Sequence, residues 1–177
     1  MSQPHNTVSR GPGSAPVVRP IEPEDLDFVR EELVRNWQST RINSLGVWHE
    51  ADRLPGFVAI APDSGARLGM LTHTPPLPGG ACEVITLASS SEGGGVGSRL
   101  LEAAVHAART AGCTRIFLTT TNDNLHAMGF YQKRGWSLVA VHRDAMTIAR
   151  RTKPSIPLIG MNGIPLRDEV EIELRLQ

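Results

Sequence analysis

Over its last ten positions the chain alternates apolar and polar residues one by one. Val170, Ile172, Leu174 and Leu176 are interleaved with Glu169, Glu171, Glu173 and Arg175. A period of two predicts a strand over 168–177 with one buried face and one wet face. A different rhythm runs through 98–111. Leu100, Leu101, Ala104, Val105, Ala108 and Ala111 recur on one face, with Arg99, Glu102, His106 and Arg109 on the other. That spacing predicts an amphipathic helix, and Gly112 stops it. Ahead of the helix, residues 82–88 mix β-branched and apolar side chains as a strand interior does. Three serines, a glutamate and the run Gly93-Gly94-Gly95-Val96-Gly97 join this strand to the helix.

The same patterns predict the other elements. Residues 17–21 read as a first strand. Pro23 opens a helix over about 24–37, with Leu26, Val29, Leu33 and Trp37 at helical spacing and Trp37 assigned to the core. Residues 38–56 hold Trp48, His49, Glu50 and Asp52 and show no clear period. Strands follow at 57–61 and 67–74, joined by a Pro-Asp-Ser-Gly turn at 62–65. Residues 115–121 form a buried strand, and the helix before it implies a parallel pair with a right-handed crossover. Asn122, Asp123 and Asn124 offer caps for a helix over 125–133. A strand at 136–142 comes next, then a long connection at 143–168 with a short helix near 143–151.

Composition narrows the class. A chain of 177 residues fits one domain, here 16–177, behind a polar Gly/Pro/Ser-rich tail at 1–15 that is expected to be disordered. Eighteen basic residues balance 18 acidic ones, which argues against non-specific nucleic-acid binding. Cys82 and Cys113 are the only cysteines. They read as reduced structural thiols, consistent with a cytoplasmic location. The sequence has no apolar run of membrane-spanning length and no apolar signal core, so no membrane association is expected. The six histidines show no metal-ligand spacing.

Candidate chemistry centres on the glycine turn. The first N–H groups of a helix lack partners within it, and glycine lets another molecule approach them closely. With the helix dipole behind them they suit a phosphate or pyrophosphate. Read alone, the turn also fits a loop with water on its amides, with Ser90 and Ser91 as caps. The dinucleotide pattern G-x-G-x-x-G fails, because Ser98 stands where the third glycine belongs, and the Gly-Lys-Ser/Thr of a phosphate-binding P-loop is absent.

Two blocks carry a resemblance. Glu92-Gly93-Gly94-Gly95-Val96-Gly97 is similar to the Gln/Arg-x-x-Gly-x-Gly/Ala coenzyme loop of the GNAT superfamily of acetyl-CoA-dependent N-acetyltransferases. About thirty residues later Asn124, Ala127, Phe130, Tyr131, Gly135 and Trp136 match that family's Asn-x-x-Ala-x-x-Phe-Tyr block and the Gly-aromatic pair after it. Glu92 replaces the usual Gln or Arg, and Gly94 stands where an arginine is common. The resemblance covers about 17–142, and the ending resembles a bacterial branch whose acceptors are mostly unassigned. It implies a mixed α/β GNAT fold, a central sheet of six to seven strands flanked by about four helices.

The resemblance also implies roles. Acetyl-CoA would set its pyrophosphate on the amides of Gly93, Gly94, Gly95, Val96, Gly97 and Ser98. Its pantetheine would run along Leu87, Ala88 and Ser89, where the central strand splays from its neighbour. An N–H such as that of Leu87 or Ala88 would meet the developing oxyanion. Tyr131, the only tyrosine, would protonate the departing thiolate; otherwise it is an ordinary half-buried tyrosine. Glu83 stands where some members place a general base, or is a salt-bridged strand glutamate. Asn124 would bond the pantetheine or simply cap its helix. His73, His142 and Asp144 are further candidate bases with no motif behind them. The acceptor, a small-molecule or peptide amine, would dock between 36–50 and the 143–168 connection. Those segments bring Asn36, Trp48, His49, Glu50, Arg143, Asp144, Arg150 and Arg151. A monomer or a homodimer, the latter through the C-terminal strand, fits equally. Two other classes stay open: a non-catalytic acyl-CoA sensor or interaction domain with this fold, and another nucleotide-binding strand–turn–helix protein.

Overall fold

The computed structural model describes residues 15–90 and 94–176. The expected tail at 1–15, apart from Ala15, lies outside them, as do Ser91, Glu92 and Gly93. In chain order the elements are β1 (Val17–Pro20), α1 (Leu26–Trp37), β2 (Arg41–Ser44), β3 (Val47–Glu50), β4 (Gly56–Ile60), β5 (Arg67–His73) and β6 (Ala81–Ser89). They continue as α2 (Val96–Thr110), β7 (Arg115–Thr121), α3 (Leu125–Gln132), β8 (Ser137–His142), α4 (Ala145–Ala149) and β9 (Glu169–Arg175). Seven strands form one sheet in the order β1-β4-β5-β6-β7-β9-β8, while β2 and β3 pair separately. Four α-helices flank a mixed sheet, as expected.

The sheet's two faces are sorted by alternation along each strand. Val58 and Met70 bury against Val29 and Leu33 of α1. Ala59, Leu71, Val84, Ile116, Leu118 and Ile172 bury against Leu100, Leu101, Ala104 and Ala108 of α2. Each large apolar side chain buried in this way contributes about 1.5–3 kcal/mol. Trp37 packs on the α1 side of the core. Between β5 and β6 the register steps from Thr72–Thr86 to His73–Val84. Ile85 is therefore an extra residue on β6, and such a bulge bends the strand.

Three expectations need correcting. The first is the helix cap: α2 starts at Gly95, with φ 72° and no side-chain cap, and Ser90 instead bonds the Leu68 carbonyl through both N–H (2.8 Å) and Oγ (2.8 Å). The second is the unassigned stretch 38–56, which contains the β2–β3 hairpin. Its turn is Leu45-Gly46, both with positive φ (49° and 81°). A two-residue turn of this kind normally announces itself with Asn-Gly or Asp-Gly, and leucine hides it. The third is the wet face of β9. Glu169, Glu171 and Glu173 are all buried, because β9 lies between β7 and β8 and is hydrogen-bonded to both. Arg115 reaches Glu171 (2.8 Å) and Glu173 (2.9 Å). Paired on both sides, the C-terminal strand also offers no free edge to a second copy.

Candidate active site

The site begins where two strands part. β6 and β7 are parallel partners only at Ala81–Arg115, Cys82–Ile116 and Glu83–Phe117. Beyond Glu83, β6 stays with β5 and β7 stays with β9. The opening is a cleft of about 420 Å³ between the end of β6, the start of α2 and one side of α3. Leu87, Ser89, Gly95, Val96, Gly97, Ser98, Asn124 and Tyr131 line it. Ala88, registered with Met70, lies on the other face of the sheet and does not line the cleft. Gly94 is described but is not part of the lining.

Glycine is required here for two reasons. Gly95 sits in the left-handed region, and no atom lies within 4 Å of where its Cβ would be. The backbone at the helix start is thus bare toward the cleft. A Cβ on Gly97 would come within 3.4 Å of the Phe130 ring, so the turn and α3 approach closely because a side chain is missing.

Arg134 is a cleft residue that the sequence did not announce. It lies over the Phe130 ring, 3.6 Å from the centroid. It donates to Ser98 Oγ from Nε (3.1 Å) and Nη2 (2.6 Å), and to the Phe130 carbonyl from Nη1 (2.7 Å). Its charge therefore stands beside the first turn of α2, close to where Gly94 leaves out the family's customary arginine. That gap was the available signal. His126, Ala127 and Phe130 also line the cleft.

Tyr131 is only 7% exposed. Its ring meets Phe130 edge-on at 5.1 Å and Trp136 at 5.5 Å. The hydroxyl has no hydrogen-bond partner among the described residues. Burial drives its pKa well above that of a free tyrosine, and the nearby Arg134 charge only partly opposes this. The group thus stays protonated at neutral pH and can donate a proton. Asn124 caps α3, its Oδ1 accepting the Ala127 N–H at 3.0 Å, while its side chain still borders the cleft.

Glu83 does not line this cleft. It ends the parallel ladder on the α1 face, buried, with Ser44 Oγ donating to its carboxylate. Ser44 Oγ also lies 2.9 Å from Thr119 Oγ1. Burial raises the Glu83 pKa above the usual glutamate range; the Ser44 bond and Arg115 oppose this, while Glu171 and Glu169 add to it. The Cys82 thiol is pushed up to about 11 by burial and by the neighbouring Cys113, too high for a useful thiolate at neutral pH.

On the α1 face the β2–β3 hairpin and the segment after β8 approach each other. Trp48 and Arg143 join Asn43, Leu45, His142, Ile148 and Glu169 around a second cavity, of about 390 Å³. The other expected acceptor residues are occupied elsewhere. Asn36 donates to the Glu32 carbonyl. Glu50 pairs with Arg41. The buried Nε2 of His49 has no partner, and Arg150 holds the carbonyls of Ile156, Pro157 and Leu166. Asp144 takes a left-handed conformation at the start of α4, where its N–H donates to Asp168. His73 bonds the Thr74 carbonyl at 2.8 Å.

Known proteins match this architecture. The chain is 46% identical to the uncharacterized protein YdhI of Bacillus subtilis (strain 168) over 138 residues, which is 78% of this chain and 84% of that protein. The IAA acetyltransferase from Bacillus cereus ATCC 14579 superposes with a TM-score of 0.70 at 21% identity, covering 92% of this chain and all of that one. A Bacillus subtilis acetyltransferase in complex with CoA superposes with a TM-score of 0.65 at 20% identity, covering 92% and 99%. At such identities the two structures establish the shared fold alone. The model of the acetyltransferase (GNAT) family matches residues 20–136, a span that includes the parted strands, the glycine turn and α3. With well over half of its length inside that match, the chain belongs to the GNAT acetyltransferase family.

Proposed function

We propose that this chain moves an acetyl group from acetyl-CoA to a primary amine of a small molecule or peptide by direct attack. The observation that carries the reading is the parting of β6 and β7 beside the bare glycine start of α2. The residues present fit the coenzyme. The amides at Gly95, Val96, Gly97 and Ser98 have the polarity for a pyrophosphate, with Arg134 adding a full positive charge next to them. The contributions of Gly94 and of Gly93, which lies outside the described residues, rest on the family loop. Leu87, Ala88 and Ser89 lie on the strand that has lost its partner, so its edge groups there are available to a pantetheine amide and to the carbonyl oxygen as it gains charge. Asn124 Nδ2 adds a donor at the mouth. The CoA in the Bacillus subtilis structure supports the same donor here.

Bound in this way, the thioester supplies the electrophile; the chain's own groups manage protons. Tyr131 is the proposed acid, protonated and with a free hydroxyl. Glu83 is the proposed base, acting from the other face through Ser44 or a water. An acceptor amine must lose its proton first, since an ammonium has no lone pair.

Three measurements test the reading. Acetyl-CoA and CoA, but not NAD, should raise the melting temperature. Free thiol should appear when an amine panel is added. Tyr131→Phe should lower kcat by about 100-fold with unchanged coenzyme affinity. Coenzyme binding with no thiol release across the panel would make the chain an acyl-CoA sensor, and undiminished turnover in Tyr131→Phe would remove the acid.

A further inference from the structure

The cavity beneath the β2–β3 hairpin has apolar walls and one carboxylate with no cation opposite it. Trp48 is 40% exposed, Leu45 37% and Ile148 57%, and all three border the same hollow. Apolar side chains exposed around one concavity mark a binding surface more than scattered exposure does. In the wall stands Glu169, only 6% exposed. Its neighbours on β9 are neutralised: Glu171 by Arg115 and His142, Glu173 by Arg115 and Arg175. Glu169 forms no salt bridge among the described residues and receives only the Leu45 N–H. A buried anion with one neutral donor is costly unless a cation joins it.

Resting on the acetyl-transfer reading, we propose that this cavity is the acceptor subsite, and that it takes a compact monoamine whose ammonium pairs with Glu169 and whose apolar, ring-sized body lies against Trp48, Leu45 and Ile148. Three further observations support it. At about 390 Å³ the hollow is at the small end of ligand sites, which suits one ring and a short chain. Arg143 stands on its rim and forms no salt bridge among the described residues, so a second positive charge on the ligand is repelled and an acidic group is favoured. Asn43 and Leu45 in the lining flank Ser44, whose hydroxyl bridges Glu83 and Thr119. The cavity thereby adjoins the proposed base at the point where β6 and β7 part.

The test uses the full chain, acetyl-CoA and three probes: 2-phenylethylamine, phenylalanine and spermidine. The two aromatic monoamines should be turned over with kcat/KM at least about ten-fold above spermidine. Trp48→Ala and Glu169→Gln should each raise KM for 2-phenylethylamine about ten-fold, with the acetyl-CoA melting shift unchanged. Preference for spermidine, or variants with wild-type KM, would overturn the assignment while leaving acetyl transfer standing. Amine binding is read separately, without coenzyme, as tryptophan fluorescence quenching that Trp48→Phe abolishes. Absence of quenching overturns the pocket, whereas absence of an acetyl-CoA shift overturns the transferase reading.

Discussion

Glu83 has a buried carboxylate whose nearest helper is a serine, with Glu169 and Glu171 near enough to repel its charge. Both burial and those charges favour the protonated form, so a base at this position ionises at a higher pH than a free glutamate, whose value is about 4.3. The rate should therefore fall on the acid side at a pH above that expected of an exposed carboxylate. Profiles of kcat/KM against pH for wild type and Glu83→Gln check this: the variant should be slower and lose the acid limb. An identical limb in both proteins would assign it to another group. Arg134 makes a second prediction at this scale. Arg134→Ala removes a charge beside Ser98 and bares the Phe130 ring, and should raise the dissociation constant of CoA about ten-fold, a typical value for one charge-assisted contact. Titration calorimetry with CoA measures it; dephospho-CoA as a second ligand separates the pyrophosphate from the 3′-phosphate.

Among the elements, the start of α1 depends on one carboxylate. Asp25 is fully buried and accepts from Arg19 of β1 (2.6 Å), Arg67 of β5 (2.7 Å) and the Glu22 N–H (2.9 Å). Burial alone would raise its pKa, but Arg19, the Glu22 N–H and Arg67 together outweigh it and hold the value below that of an ordinary aspartate. A folded-state value below the unfolded one stabilises the protein above the unfolded pKa. That contribution is lost as the pH falls below about 4 and through the folded value. Asp25→Asn should melt lower than wild type at neutral pH, with the gap closing on acidification; circular dichroism melts at several pH values measure it. The same strands show what sequence periodicity can and cannot reveal. α2 was legible because its apolar stripe and its glycine start are local. β9 was legible as a strand, but alternating glutamates read alike whether they face water or Arg115. The β2–β3 hairpin was hidden because Leu45 holds a conformation that leucine rarely takes. Arg134 was hidden because only the fold brings residue 134 to residue 98.

As a whole, the sheet consists of two blocks, β1-β4-β5-β6 and β7-β9-β8, that share three registered pairs. The ladders within each block are longer. Amide protection over 81–83 and 115–117 should thus be weaker in the free protein than within β5–β6 or β7–β9, and should rise when CoA fills the gap. Hydrogen–deuterium exchange measures it, and uniform protection with no response to CoA would refute it.

That short seam works like the pivot of a pair of tongs. A slight swing about it alters the jaw width while each arm keeps its own hydrogen bonds. Because Glu83 is the last residue of the pivot, any swing also shifts the proposed base relative to Tyr131 across the gap. Gripping the donor would then bring the proton acceptor and the proton donor into line in the same movement.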